Sequence, residues 1–321
     1  AGNIINTGGV VLAAGTAFGA RLAQEKLGCR LATVQVFPIC FRSCRQTPIL
    51  HPALQRINWL PRSAKKIVFR ILDRTVDRSF VPGLNRFRSE LGLPPIRRPF
   101  HHWWNSPDLV IAMFPSWFSE PQPDWPPQTV MGDFALFDDQ SAGELSPAAR
   151  EFIRSADPFI VFTPGTSASD ATGFFAAAIE ACQRLGYRGL VLSRRRKDVP
   201  AELPAGVHHF PYLPFSKVFP KCAAVVHHGG IGTLAQALAA GVPQLVLPKA
   251  YDQFDNADRI RKLGVGTSIG FGRDRGGPAV ARELEQLMNS GSVRSSCLSV
   301  QKHFESPPQL DDACDHIQRL A

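Results

Sequence analysis

The chain has 321 residues, 44% of them hydrophobic, and 36 Lys and Arg against 27 Asp and Glu give it a formal net charge of +9. This length suffices for two domains. No run approaches the roughly 18 to 20 apolar residues of a membrane-spanning helix, and no signal peptide is visible, so we expect a cytoplasmic protein. The seven cysteines lack the paired spacing of a zinc site, which favours reduced thiols.

The first predicted elements belong to an α/β domain that we place at residues 1–140. Apolar runs predict strands at 10–13, 31–37 and 109–114, with a helix at 16–27. A doubly wound domain normally opens with its own strand, glycine turn and helix, whereas this chain starts on "AGNIINTGG". We therefore expect the first domain to be incomplete.

Basic residues are concentrated between residues 62 and 98, where Ile67, Val68, Ile71 and Leu72 recur at helical spacing. The pattern predicts a basic amphipathic helix. Its basic face is either solvated or makes peripheral contact with membrane lipid, which would place the protein at the inner membrane face. Nucleic acid is not expected as a partner, because no nucleic-acid-binding signature accompanies the charge.

The polar segment 138–157 predicts a linker, and we assign residues 141–321 to a second domain. Strand-like and helix-like runs alternate after it. This alternation predicts a Rossmann-like domain with a parallel sheet between helices. The strands are predicted at 159–163, 189–193, 223–227 and 244–248, and the helices at 170–185, 233–240 and 252–263.

The segment "HHGGIGT" at 227–233 joins a predicted strand to a predicted helix. Glycines there leave backbone N–H groups bare at a helix N-terminus, which is a favourable site for a phosphate. Gly230-x-Gly232-x-x-Ala235, with Asp252 downstream, also fits the dinucleotide fingerprint of an NAD-dependent oxidoreductase. A P-loop is excluded, because GxxxxGK[ST] does not occur.

The longer pattern from 227 to 266 contains H-G-G-x-G-T, A-G-V-P, D-Q-x-x-N-A and a closing G-x-G in order. It resembles the signature of family 1 nucleotide-sugar-dependent glycosyltransferases, and within them the bacterial branch that acts on lipids, sterols and natural products, including rhamnosyltransferases. The resemblance implies an α/β GT-B fold: two Rossmann-like domains facing across a cleft. It also implies that the N-terminal part of the family's chain is missing here.

The resemblance implies roles for residues around the glycine turn. The diphosphate would contact His228, Gly230, Gly232 and Thr233, while Asp252 and Gln253 would hydrogen-bond the donor sugar. Structural alternatives stay open, because His228 could simply cap its strand and Asp252 could simply cap the following helix. Neighbouring His227 is expected to face the packing on the other side of the strand.

Three further donor-site features are predicted. Thr166 and Ser167 follow a second glycine turn and could reach a phosphate oxygen or cap the next helix. Tyr212 lies where family members place an aromatic that stacks on the base, with core packing as the alternative. Gln236 stands where uridine-using members have Glu for the ribose, so dTDP donors are as credible as UDP donors.

The resemblance implies inverting transfer of a hexose from a UDP- or dTDP-sugar to a hydroxyl of a hydrophobic acceptor. The nucleotide-sugar is a co-substrate, and neither a cofactor nor a metal is expected. The family's general base lies in the segment that we expect to be missing, so no catalytic residue is assigned. A truncated chain that binds a nucleotide-sugar without catalysis is the alternative, ahead of the oxidoreductase.

Overall fold

The computed structural model describes residues 9–138, 145–165, 170–270, 272–305 and 310–321. The chain divides into two compact units. The first comprises Ala1–Ile49, Ala53–Phe134 and Pro308–Ala321, and the second comprises Leu50–Pro52 and Ala135–Pro307. The division differs from the predicted boundary at 140 and 141 mainly in that the end of the chain belongs to the first unit.

The first unit contains a four-stranded parallel sheet with the strands in sequence order. Its strands are β1 (Val10–Ala14), β2 (Arg30–Gln35), β3 (Leu109–Ala112) and β4 (Thr129–Met131), and its first helices are α1 (Phe18–Leu27), α2 (Arg62–Ser79) and α3 (Val81–Glu90). The central strands carry the most buried residues, because their neighbours cover both edges. A short π-helical turn, Pro99–Trp103, precedes β3.

Helix α2 is the predicted basic helix. The face that it buries is not the face that carries its two isoleucines. Phe69 is buried together with Lys65 and Asp73, whereas Ile67 and Ile71 are 57% and 55% exposed. Asp73 can be buried because its carboxylate pairs with two arginines. Neither this helix nor any other in the described part of the chain has the length and apolar character needed to cross a bilayer.

The second unit contains a six-stranded parallel sheet of order β10-β9-β8-β5-β6-β7. Its strands are β5 (Phe159–Thr163), β6 (Arg188–Leu192), β7 (Val207–Phe210), β8 (Ala224–His227), β9 (Gln244–Val246) and β10 (Gly266–Ser268). Its helices are α4 (Pro147–Arg154), α5 (Thr172–Leu185), α6 (Phe215–Val218), α7 (Ile231–Ala239), α8 (Gln253–Lys262), α9 (Gly277–Asn289) and α10 (Gly291–Gln301).

Strand β5 shows why this sheet needs helices on both faces. Ile160 and Phe162 point to one hydrophobic cluster, which includes residues of α5 and α9. Phe159 and Val161 point to a second cluster, which includes residues of α4 and α7. Because alternate residues of a strand face opposite sides, burial on both faces gives the uninterrupted apolar run seen in the sequence. The predicted Rossmann-like sheet is confirmed.

The last helix, α11 (Leu310–Leu320), belongs to the core of the first unit. Ala313 is buried against Ala32, Leu109 and Ile111 of the first sheet. The Arg30 guanidinium donates a 2.8 Å hydrogen bond to the carbonyl of Leu320. The chain therefore returns to its first unit after completing the second.

Candidate donor site

The strand order of the second sheet reverses between β5 and β8. These strands are neighbours in the sheet, with Thr163 paired to His227, although more than sixty residues separate them in the chain. Their carboxyl ends therefore carry two glycine turns side by side. Such a reversal point is where open α/β sheets bind their ligands.

The His228 imidazole lies against glycines of both turns. A Cβ atom at Gly165 would lie 2.3 Å from Cε1 of the ring, and one at Gly230 would lie 2.3 Å from Nε2. Gly165 also has a φ of +84°, a conformation that favours glycine. The ring can occupy this position only because both residues lack a side chain.

Burial and, secondarily, the charge of Lys249 lower the pKa of His228 to about 4. The ring is therefore neutral at pH 7 and carries one N–H. Its Nδ1 atom is buried and has no hydrogen-bond partner among the residues that the structure describes. A buried polar atom of this kind is unusual in proteins and calls for an explanation, of which a ligand is one.

His227 holds the backbone of the turn. Its ring is fully buried, as predicted, and Nδ1 accepts a 3.1 Å hydrogen bond from the amide of Gly229. Nε2 then donates to Oε1 of Gln244, 2.9 Å away. Burial and the neighbouring His228 lower the pKa of His227 to about 3, so the ring keeps this single neutral tautomer.

Helix α7 starts at this turn with Gly230 as its N-cap. The amide of Leu234 makes the first intrahelical bond, to the Gly230 carbonyl, so the three preceding amides have no intrahelical acceptor. A Cβ atom at Gly232 would meet nothing within 4 Å. Open space at a helix start with bare amides suits an anion, both by hydrogen bonding and by the helix dipole.

Asp252 and Asn256 connect α8 to the glycine turn. The fully buried Asn256 donates Nδ2 to the Gly229 carbonyl at 2.8 Å and to Oδ2 of Asp252 at 2.7 Å. The Ile231 amide also bonds Asp252. Burial nevertheless raises the pKa of Asp252 to about 6. Asp252 occupies the N-cap position of α8, as the structural alternative expected, but its side chain makes no capping hydrogen bond there.

Gln253 shapes the loop between β9 and α8. Its Oε1 accepts hydrogen bonds from the amides of Lys249 and Ala250, at 2.7 and 3.1 Å. Within this loop Tyr251 is 81% exposed and has a φ of +56°. A non-glycine residue in that region is strained, and such strain occurs most often at functional sites. The loop therefore presents an aromatic ring next to Asp252.

Lys249 is a site residue that the sequence did not reveal. It follows β9 at the same sheet edge as the glycine turns, and its Nζ donates a 3.0 Å hydrogen bond to the carbonyl of Asp170. After burial, its charge is the second cause of the lowered pKa of His228. Its position directly after a predicted strand could have indicated Lys249, because functional residues often follow the carboxyl ends of parallel strands.

The remaining predicted residues have other surroundings. Gln236 is buried, and its Nε2 donates a 3.2 Å hydrogen bond to the carbonyl of Phe137. Tyr212 lies under the Arg194 guanidinium, 5.2 Å from the ring centre. Thr166 and Ser167 lie outside the described residues. The structure thus brings His228, Gly230, Gly232, Thr233, Asp252 and Gln253 around one turn, while the roles predicted for Gln236 and Tyr212 stay predictions.

Comparison with known proteins finds a family match in the C-terminal part of the chain. Residues 190–320 match the family described as erythromycin biosynthesis protein CIII-like, C-terminal domain. The 4'-demethylrebeccamycin synthase of Lentzea aerocolonigenes is 27% identical over 95% of this chain and 72% of its own length. Vancomycin aglycone glucosyltransferase of Amycolatopsis orientalis is 32% identical over 58% of this chain and 44% of its own length. The chain thus spans less than half of the second relative.

Solved structures establish the fold. The glycotransferase of kitacinnamycin superposes with a TM-score of 0.74 at 17% identity, covering 97% of this chain and 76% of its own. The spinosyn rhamnosyltransferase SpnG, solved with thymidine diphosphate, gives 0.63 at 17% identity over 92% of this chain and 69% of its own. Residues 190–320 therefore match an EryCIII-like C-terminal domain, and the chain is similar in sequence to antibiotic glycosyltransferases and shares the GT-B fold of the solved structures.

Proposed function

We propose that this chain is an inverting glycosyltransferase that moves a hexose from a dTDP- or UDP-sugar to a hydroxyl of a hydrophobic acceptor, with a natural product as the first class to test. The observation that carries the proposal is the His228 imidazole, wedged between two glycines beside the open start of α7. The similarity to antibiotic glycosyltransferases supports the proposal, and two of the similar structures were solved with thymidine diphosphate.

In this proposal the glycine turn stabilises the departing nucleoside diphosphate. The acceptor hydroxyl gives its proton to a general base and attacks the anomeric carbon, the bond to the diphosphate oxygen breaks, and negative charge accumulates on the leaving group. The His228 N–H and the amides of Gly232 and Thr233 would face that charge, in a role like that of an oxyanion hole. Lys249 would add a positive charge at the same edge.

Asp252 and Gln253 are proposed to bind the donor sugar. A carboxylate accepts hydrogen bonds and an amide nitrogen donates them, so the pair complements neighbouring hydroxyls. Gln253 uses Oε1 for the backbone of its own loop, which leaves Nε2 as the group to offer to the sugar. Asn256 and the Ile231 amide orient the Asp252 carboxylate, which would accept a further hydrogen bond from a sugar hydroxyl.

A thermal-shift experiment tests the donor class. We expect dTDP or UDP to raise the melting temperature, since a ligand at a hundred times its Kd stabilises a protein by about 2.7 kcal/mol. NAD is the matched control and should have no effect. A shift with NAD and none with either nucleoside diphosphate would instead favour the oxidoreductase. Binding without glycosylated product, followed by mass spectrometry over a panel of donors and acceptors, would favour the non-catalytic alternative.

We also propose that α2 makes peripheral contact with an anionic membrane. Trp59, at the end of the preceding 3-10 helix, is 86% exposed, and Ile67 and Ile71 are more than half exposed on α2. Basic residues flank this apolar surface, including Lys66 and Arg70. Apolar groups entering the headgroup region and cations attracted to acidic lipid are the two components of such binding.

Vesicle co-sedimentation tests the membrane proposal. We expect binding to phosphatidylcholine vesicles that contain phosphatidylserine, with weaker binding at high salt, because the Debye length shortens. The double variant Ile67→Ser/Ile71→Ser should bind less. Leu27→Ser/Leu298→Ser removes two other exposed leucines and should bind like the parent. Failure to bind these vesicles at any salt concentration would support a plain solvated helix.

A further inference from the structure

The first unit contains a cavity of about 320 Å³ that the donor site does not use. Helix α2, the loop after β2 and the turn before β3 enclose it. Phe41 and Phe69 give it a buried aromatic wall. Four of its lining side chains are cationic, namely Arg42, Lys66, Arg70 and Arg98.

The acidic groups near the cavity are already occupied. Asp124 lines it, but its Oδ1 accepts from the Ser43 hydroxyl and its Oδ2 from the Cys44 amide, both at 2.7 Å. Behind the wall, Asp73 accepts from Nη1 of Arg42 at 2.5 Å and from Nε of Arg98 at 2.7 Å. Each guanidinium has five N–H donors, so Asp73 leaves most of them for another acceptor.

The backbone around Arg98 is strained in a way that shapes the cavity. Arg98 has a φ of +53°, and its amide is held by Oδ1 of Asp77 at 2.8 Å. The π-helical turn Pro99–Trp103 follows at once. Left-handed non-glycine residues and π-turns both persist where the surrounding structure enforces them, frequently at ligand sites. Here they carry His101 and His102 to the cavity wall, their ring centres 3.7 Å apart.

Burial first, and neighbouring positive charges second, lower the pKa of both histidines. Burial lowers the pKa of His101 to about 4, and the neighbouring His102, Arg98 and Arg42 act in the same direction. Burial, Arg98 and Arg42 also lower the pKa of His102. Both rings are therefore neutral at pH 7 and can each donate one hydrogen bond. An anion in the cavity would find N–H donors from arginine, lysine and imidazole together.

We propose that this cavity binds a small aromatic molecule bearing a carboxylate, with the acid among Arg42, Lys66, Arg70 and Arg98 and the ring against Phe41 and Phe69. Arginine forks suit carboxylate geometry, and the aromatic wall suits an apolar body. All lining residues belong to the first unit. The proposal therefore stands independently of nucleotide binding in the second unit.

Calorimetry with 2-naphthoate as the probe and 2-naphthamide as its neutral isostere tests the proposal on the full chain. Saturating dTDP is present, so that the phosphate turn is not the anion site being measured. We expect the carboxylate to bind at least about tenfold more tightly than the amide, as charge-assisted hydrogen bonds require. Inorganic phosphate as a competitor shows whether the site takes oxyanions in general or needs the aromatic body.

The double variant Lys66→Gln/Arg70→Gln should weaken naphthoate binding by about tenfold and reduce its salt dependence. Both side chains are exposed on α2, so the fold should survive. Arg74→Gln/Arg78→Gln removes the same charge from the same helix outside the cavity lining and should have little effect. No naphthoate binding, equal affinity for the amide, or equal losses in both double variants would each overturn the proposal.

Discussion

Replacing His228 with alanine is expected to weaken dTDP binding by about tenfold to a hundredfold while the protein stays folded, since a hydrogen bond to a charged group contributes about 1.5–3 kcal/mol. The ring is neutral at pH 7 because its pKa is lowered to about 4. It therefore acts as a hydrogen-bond donor rather than as a cation. Titration calorimetry with dTDP measures the loss, and circular dichroism checks the fold.

Gly230→Ala tests the same ring without removing it. Gly230 has φ −66° and ψ 141°, which alanine adopts readily, but its Cβ would collide with Nε2 of His228. We expect a comparable loss of dTDP affinity. Gly291→Ala is the matched control, because a Cβ there meets nothing within 4 Å. Parental affinity in folded His228→Ala and Gly230→Ala proteins would contradict the phosphate role.

Asn256→Ala is expected to lower the free energy of unfolding by about 3 kcal/mol, because it leaves the Gly229 carbonyl and the Asp252 carboxylate buried without their shared donor. Denaturant unfolding measures this change. Asn289→Ala, at the exposed end of α9, should stay within about 0.5 kcal/mol of the parent. A similarly small effect at Asn256 would show that the glycine turn does not depend on this link.

The decrease in the free energy of unfolding caused by Asn256→Ala should also depend on pH. Burial raises the pKa of Asp252 in the folded protein to about 6, above the ordinary carboxyl value that it has in the unfolded chain. The contribution of Asp252 to the free energy of unfolding is therefore fully present below the ordinary carboxyl pKa and is lost as the pH rises through 6. The Asn256 bond opposes that rise, because it favours the carboxylate. Its removal should therefore cost more at pH 8 than at pH 5. An equal cost at both values would argue against a bond to the charged form.

The strands that the sequence did not reveal are all at sheet edges. β7 and β10 are the outermost strands of the second sheet, and β4 is an outer strand of the first. An outer strand is covered less completely than a central one, so "VHHF", "GTS" and "TVM" lack the apolar run that indicates a buried parallel strand. The central strands β5 and β8 were predicted nearly to the residue for the opposite reason.

The donor site could be predicted only where it is contiguous in the chain. The H-G-G motif indicated His228 and the helix start, because spacing alone places them together. The contact of Gly165 with the His228 ring depends on β5 and β8 being neighbours in the sheet. Hydrophobic periodicity predicts strands but not their order, so this contact could not be predicted. Lys249 entered the site for the same reason.

Helix α2 shows a second limit of sequence patterns. Its spacing correctly indicated a basic helix, but periodicity cannot show that Asp73 is buried while Ile67 and Ile71 are exposed. Two arginines that neutralise Asp73 come from residues 42 and 98, far away in the chain. Burial of a charge is decided by such remote partners.

The return of α11 to the first sheet makes the two units inseparable by a single cut. Cleavage between residues 134 and 147 would leave two polypeptides, and the second would still hold Ala313 in the core of the first. Limited proteolysis there should thus yield a nicked complex that migrates as one species until it is denatured. Recombinant expression of the first unit alone would have to graft Leu310–Leu320 onto it, or leave the face around Ala32 and Ile111 uncovered.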